Sequence, residues 1–208
     1  MKQSIIIFVL FFTVNGFISK LVFNEKKMSN KKLEKITLGN GCFWCTEAVF
    51  EKLDGVISAV SGYSGGTTEN PTYKEVCTGK TGHAEVIQVT FDSSKISIEK
   101  ILEVFFKTHD PTTLNRQGND VGTQYRSVIF YHNAKQKEIA EQIKDKLDNA
   151  KIFNKPIVTQ ITKFTNFYLA ENYHQNYYEL NKSQPYCEFV ITPKIEKFNK
   201  VFKELLKK

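Results

Sequence analysis

Gly41-Cys42-Phe43-Trp44-Cys45 is the stretch whose residue types can carry chemistry. An apolar segment, Lys35 to Leu38, precedes it, and Cys45, Val49 and Leu53 then recur every fourth residue, so a strand leads through Gly39-Asn40-Gly41 into a helix. Cys42 then stands at the helix N-terminus, where unpaired N–H groups and the helix dipole favour an anion. A thiolate there is expected to have a depressed pKa and to be nucleophilic. Cys-x-x-Cys after a strand is also the spacing of dithiol redox sites. Phe43 and Trp44 cannot both face the core at a helix start, so at least one is expected to border a pocket. A buried, inert thiol is the ordinary fate of a single cysteine, but two cysteines around the only tryptophan weigh against it. Structural zinc sites take four ligands at typical spacings. Cys77 and Cys187 stand alone, so no metal site is expected.

Glu85 supplies a second chemical group. In the alternating segment Ala84 to Phe91 it shares a face with Ile87, Val89 and Phe91. A carboxyl on that apolar face is desolvated, its pKa is raised, and as a neutral acid beside a thiolate it can give a proton to a developing oxyanion. The other reading is a strand-end carboxylate turned to water, and the pattern alone leaves both open. Tyr73 follows Asn70-Pro71-Thr72, and Tyr125 follows Asp120-Val121-Gly122-Thr123-Gln124. Phenolic hydroxyls can hold a substrate oxygen, and each tyrosine taken singly is equally readable as packing.

The elements that must position these groups follow from periodicity. Strands are predicted at Lys35–Leu38, Val56–Tyr63, Ala84–Phe91, Tyr125–Tyr131 and Ile157–Lys163. Helices are predicted over Cys42–Leu53, through Ile98, Ile101, Leu102 and Phe105, through Ile139, Ile143 and Leu147, and from Thr192-Pro193 through Ile195, Phe198, Phe202 and Leu205. Ser64–Gly82 and Asp110–Gln124 read as long loops of the kind that carry function. A β-α-β-β-α-β run is the ferredoxin-like pattern: an α+β two-layer sandwich, a mixed sheet with helices on one face and long functional loops.

Composition sets the outer bounds. The 208 residues carry 29 Lys and Arg against 22 Asp and Glu, a net +7, with 41% hydrophobic and 25% charged residues. That is an ordinary globular balance and rules out wholesale disorder. Four cysteines are too few for a disulfide-framework mini-protein. The positive charge is almost all dispersed Lys, and the only arginines, Arg116 and Arg126, sit together, which argues against a nucleic-acid partner. Met1-Lys2-Gln3 followed by apolar Ser4–Val14 has the order of a signal peptide, and that run of about ten residues is too short to span a bilayer. Residues 1–23 are therefore expected to be a signal peptide or N-terminal membrane anchor, residues 24–34 a linker, and the chain exported or anchored. Residues 35–208 are expected to form one domain, and a monomer is the expectation.

Further blocks accompany Gly41-Cys42-Phe43-Trp44: Ser61-Gly62-Tyr63-Ser64-Gly65-Gly66, Asn70-Pro71-Thr72-Tyr73, Thr81-Gly82-His83-Ala84-Glu85 and His109-Asp110-Pro111-Thr112. Arg116-Gln117-Gly118-Asn119-Asp120, Gly122-Thr123-Gln124-Tyr125-Arg126-Ser127 and Tyr173-His174-Gln175 follow. In these blocks, which run in order over roughly three quarters of the chain, the sequence resembles the A-type peptide methionine sulfoxide reductases. The resemblance implies that Cys42 attacks the sulfoxide sulfur and that protonated Glu85 donates to the oxygen with help from Tyr73 and Tyr125. It implies that Phe43 and Trp44 wall in the S-methyl group and that Asp120 positions the substrate. Cys42 would be left as a sulfenic acid, on the reversible part of the oxidation ladder. The implied substrates are oxidised proteins and free methionine S-sulfoxide, with no cofactor and a thioredoxin-like reductant.

Cys187 matches the family's recycling cysteine. Cys45 stands where many members have Gly, and a charged helix ending at Lys208 replaces a Gly-rich tail with a further cysteine. Cys187 is therefore the expected recycler and Cys45 the alternative, because a Cys42–Cys45 bridge within one helical turn must meet strict geometry. Cys77 is expected to be a small apolar residue under its loop. Two rival readings remain: a thiol–disulfide exchange protein using Cys42 and Cys45, and a non-catalytic module presenting aromatic loops.

Overall fold

The structure is a computed structural model and describes residues 32–208. The expected signal or anchor over residues 1–23 and most of the expected linker lie outside the described residues. The linker's last two positions are already strand, because Leu33 and Glu34 pair with Asp92 and Phe91.

The chain runs β1 (Leu33–Asn40), α1 (Phe43–Phe50), β2 (Val56–Ser64), α2 (Tyr73–Cys77), β3 (Ala84–Asp92) and α3 (Ile98–Lys107). A small hairpin of β4 (Arg116–Gln117) and β5 (Asp120–Val121) leads to β6 (Ser127–Tyr131), α4 (Ala134–Asn149), β7 (Gln160–Lys163) and β8 (Tyr168–Leu169). Helix α5 (Tyr177–Leu180) follows, then a π-helical turn at Cys187–Ile191 that runs into α6 (Thr192–Val201).

The strand order is β7-β6-β1-β3-β2-β8. The inner four strands, β6-β1-β3-β2, are mutually antiparallel, with β7 parallel to β6 at one edge and β8 antiparallel to β2 at the other. This is the expected ferredoxin-like α+β arrangement with one strand added at each side. Alternation along the strands sorts the two faces. Ile36, Leu38, Ile87, Val89, Phe91 and Ile129 pack with Val49, Phe50 and Leu53 of α1 and with Ile101, Leu102 and Phe105 of α3. Each such buried side chain is worth about 1.5–3 kcal/mol, whereas exposed pairs such as Lys137–Glu141 add about 0–1 kcal/mol, so the helix-covered face holds the fold. On the opposite face Ala84, Val86, Val128 and Phe130 form a smaller cluster under Phe164 and Phe167.

The two long loops hold more structure than periodicity indicated. The first contains α2, closed by a reciprocal capping box between Thr72 and Glu75. The second folds into the β4–β5 hairpin and a 3₁₀ turn at Thr123–Tyr125. Tyr125 therefore precedes β6 instead of opening it: its N–H donates to the Gly122 carbonyl at 3.0 Å. The predicted strand from Ile157 begins only at Gln160, and β8, α5 and the π-helical turn had no periodic signal. Gly41, at φ +102°, makes the strand-to-helix turn, and a Cβ there would lie 2.7 Å from the Gln117 side chain.

Candidate active site

Cys42 is the N-cap of α1 and is nearly buried, with 8% of its surface exposed. Its side chain does not cap the helix. Glu85 does so from β3: Oε2 accepts from the Phe43 N–H at 3.2 Å. Glu85 stands on the helix-covered face with Ile87, Val89 and Phe91, which decides between its two sequence readings in favour of burial. It is 1% exposed, and its Oε1 has no hydrogen-bond partner among the described residues. Burial raises its pKa to about 8 against the lowering effect of the Phe43 N–H, with Asp120 and Cys45 adding to the rise. At neutral pH the carboxyl is mostly protonated. Oε2 accepts from the helix N–H, which leaves Oε1 as the oxygen free to meet an incoming acceptor.

The thiol expectation needs correction. Burial, the hydrogen bond with Cys45, and the charges of Cys45 and Glu85 push the Cys42 thiol up; only a Tyr186 hydrogen bond opposes them. Cys45 is instead brought down to about 7, first by the hydrogen bond from Cys42, with help from Lys194 and Tyr186 against its own burial. The two thiols titrate as a coupled pair, the first ionisation falling at about 7 and the second well above the ordinary thiol value.

Tyr73, the first residue of α2, and Tyr125 both lie near Glu85. Burial, then the Glu85 charge, raises both phenol pKa values, so both remain donors. Asp120, at the start of β5, accepts from the Tyr186 hydroxyl at 2.8 Å. Phe43 is buried beside Tyr63 and Tyr73, with ring centroids 5.9 and 6.4 Å away. Trp44 is half-buried, stacked 3.6 Å from Tyr177 and edge-on to Tyr186 at 5.9 Å. So Cys42, Cys45, Glu85, Tyr73, Tyr125, Phe43, Trp44 and Asp120 converge.

Cys187 is fully buried in the π-helical turn, and the charge that helps raise its pKa, after burial, is that of Cys45. Cys77 corrects another expectation. It is exposed, because Val76 takes the buried face of α2.

Sequence reading missed Tyr177, Tyr186, His174 and Glu171. Glu171 accepts from the Tyr63 hydroxyl and from the Tyr73 N–H, both at 2.8 Å, and so ties α2 to β2. The Tyr173-His174-Gln175 block was the one available signal for part of this group. Among the described residues no cluster of three or more His, Cys, Asp or Glu side chains is placed to hold a metal.

A coupled cysteine pair with one thiol brought to about 7, beside a buried, half-unpartnered carboxyl of raised pKa and two phenol donors, defines a thiol-dependent oxidoreductase site. The model of the peptide methionine sulfoxide reductase family matches residues 34–206, and the chain belongs to that family of enzymes. It is 57% identical over 175 residues to the peptide methionine sulfoxide reductase of Saccharolobus solfataricus, covering 84% of this chain and 98% of that one. Among solved structures it is similar to reduced Mxr1 of Saccharomyces cerevisiae, with TM-score 0.68 and 36% identity over 74% of this chain and 89% of that one. It is also similar to methionine sulfoxide reductase A of Corynebacterium diphtheriae, with TM-score 0.65 and 37% identity over 72% and 75% of the two chains.

Proposed function

We propose that the chain reduces methionine S-sulfoxide, in proteins and as the free amino acid, through Cys42 and Glu85. The observation that carries this reading is the Glu85 carboxyl, buried, raised to a pKa of about 8 and with its Oε1 unpartnered, on the strand facing the cysteine pair. The Cys42 proton passes to the Cys45 thiolate, and the Cys42 sulfur attacks the sulfoxide sulfur. Glu85 gives its proton to the sulfoxide oxygen while Tyr73 and Tyr125 donate hydrogen bonds to it, the electrostatic support that developing charge requires. The S–O bond of the substrate breaks, methionine leaves, and Cys42 is left as a sulfenic acid. Phe43 and Trp44 face the S-methyl group, and Asp120, held by Tyr186, orients the substrate.

Recycling runs to Cys187 by way of Cys45. The Cys45 thiol displaces the sulfenic hydroxyl as water, forming a Cys42–Cys45 disulfide, and the electrostatic coupling of the two thiols supports their approach. Cys187, whose ionisable neighbour is Cys45, then attacks Cys45 and frees Cys42. An external thioredoxin-like dithiol reduces the resulting Cys45–Cys187 disulfide.

One equivalent of methionine sulfoxide, followed by mass mapping of the disulfides, tests the reading. Methionine in stoichiometric yield with a bridge containing Cys45 supports it, and no methionine ends it. A bridge between Cys42 and Cys187 formed equally fast in Cys45→Ser removes Cys45 from the path. A coupled Cys42–Cys45 pair is also what a thiol–disulfide exchange protein would have. Under that second reading Glu85→Gln leaves disulfide reduction intact, and sulfoxide turnover is absent from the outset.

A further inference from the structure

The indole N–H of Trp44, the chain's only tryptophan, donates to Nδ1 of His174 at 3.0 Å. An indole nitrogen is a donor only. Nδ1 must therefore present its lone pair, which places the proton of the neutral imidazole on Nε2. His174 is 1% exposed, and Nε2 has no hydrogen-bond partner among the described residues. The nearest anionic atom, Glu171 Oε2, lies 3.9 Å away and already accepts from the Tyr63 hydroxyl. Glu171 Oε1 is taken by the Tyr73 N–H. The rings of Tyr173, Tyr73 and Phe43 complete the enclosure, with centroids 4.2, 4.5 and 5.0 Å from the imidazole.

A second proton on this ring has one place to go. It would sit on Nδ1 and turn the acceptor of the Trp44 bond into a donor facing a donor. We propose that His174 is a positioning residue for the reductase reaction: its neutral Nε2–H tautomer fixes the Trp44 wall, and its protonation releases Trp44 and weakens substrate binding. The proposal rests on the reading of Trp44 as the wall for the substrate methyl group.

The groups facing His174 set where the switch falls. From α1 come uncharged Trp44 and Phe43, from α2 the Tyr73 phenol, from β2 the Tyr63 phenol, and from its own turn the Glu171 carboxylate and the Tyr173 phenol. Burial outweighs the Glu171 charge and holds His174 below the ordinary histidine value of 6.5. The release therefore falls on the acid side, below the ionisation of the cysteine pair at about 7. The acid limb of kcat then follows the cysteines, and the rise of KM follows His174.

Emission of the single tryptophan, followed from about pH 4 to 8, reads the link directly. The wild-type protein should show one step near 7 from the cysteine pair and a second below 6.5. In His174→Asn the side-chain oxygen can accept the indole N–H at every pH, so only the lower step should vanish. KM for methionine sulfoxide should rise about tenfold per pH unit below the lower step in the wild type, and stay flat in His174→Asn. A lower step that survives in His174→Asn, or is missing from the wild type, overturns the proposal. Imidazole ¹⁵N shifts of wild-type protein at pH 8 provide a check that needs no variant: a protonated Nδ1 overturns it equally. An emission change as described with a pH-independent wild-type KM overturns the role in binding and assigns the fault to Trp44 as the wall, not to the His174 bond.

Discussion

The junction of β1, α1 and β3 and the stretch from Phe164 to Ile191 both reach the site, but they are built differently. At the junction, Cys42 and Glu85 are carried by regular elements whose other side chains fill the main core, and one bond, Phe43 N–H to Glu85, locks them together. The second region is short turns: two residues of β8, a 3₁₀ turn, four residues of α5 and a π-helical turn. Long-range side-chain bonds hold it. The Gln175 amide donates to the Ser61 and Ala170 carbonyls at 3.0 and 2.9 Å and accepts from the Ser61 N–H at 3.2 Å. The difference separates roles. On the proposed reading, a rigid junction holds the proton donor, and a region of few regular bonds supplies the wall and the thiol assigned to recycling.

Glu85→Gln breaks the junction's chemistry without its shape and should have the largest effect. Sulfoxide turnover is expected to fall about 10²–10⁴-fold, the usual worth of a positioned acid, while alkylation of the cysteine pair continues. Undiminished turnover would show that another group supplies the proton. The same variant should move stability in the opposite sense. Folded Glu85 keeps its proton up to about 8, whereas an exposed Glu releases it near about 4.3. Its contribution is thus fully present below the lower value and is lost as pH rises through the higher one. Denaturation midpoints should decline from about pH 5 to 9 in the wild type and stay flatter in Glu85→Gln.

Cys187→Ser tests the other region. The first turnover should proceed at the wild-type rate, and thioredoxin-driven turnover should then stall. Sustained turnover would confine recycling to the Cys42–Cys45 pair. Rapid-mixing kinetics that resolve the first methionine released from the later ones separate the two outcomes.

The same division explains what was legible in the sequence. The two-residue period offered the buried face for Glu85 but left a solvent-turned carboxylate equally open, and the strand–turn–helix order put Cys42 at the head of α1; both patterns exist because the core demands them. The direction of the Cys42 shift was not legible. It depends first on how deeply the sulfur is buried and then on Cys45 and the Glu85 charge beside it, and none of these follows from spacing. His174, Tyr177 and Tyr186 stayed hidden because their segment is fixed by partners far along the chain; Gln175 and Ser61 are 114 residues apart. Helix α2 was a missed local signal: Thr72-x-x-Glu75 is a capping box in plain view.

Gln175→Ala should sharpen the contrast at smaller scale. It removes three bonds and leaves a Ser61 N–H and two carbonyls without them, an expected loss of about 1–3 kcal/mol by chemical denaturation. KM should rise with kcat nearly unchanged, since Trp44 and His174 lean on this segment and Glu85 does not. A fall in kcat alone would mean that the region also tunes the chemistry.

Thr72→Ala should have the smallest effect, and it probes the border between the two regions. Thr72 accepts from the Glu75 N–H, and Glu75 returns the contact to the Thr72 N–H at 2.8 Å. Losing the cap is expected to cost about 0.5–2 kcal/mol. The loss falls on a five-residue helix whose first residue is Tyr73, so the hydroxyl proposed to support the sulfoxide oxygen loses its footing while Glu85 stays in place. Turnover should drop modestly with an unaltered alkaline limb, because that limb belongs to Glu85. Thr72→Ser keeps the capping oxygen and should restore both stability and rate. If it restores stability alone, the threonine methyl group, not the cap, is what sets Tyr73.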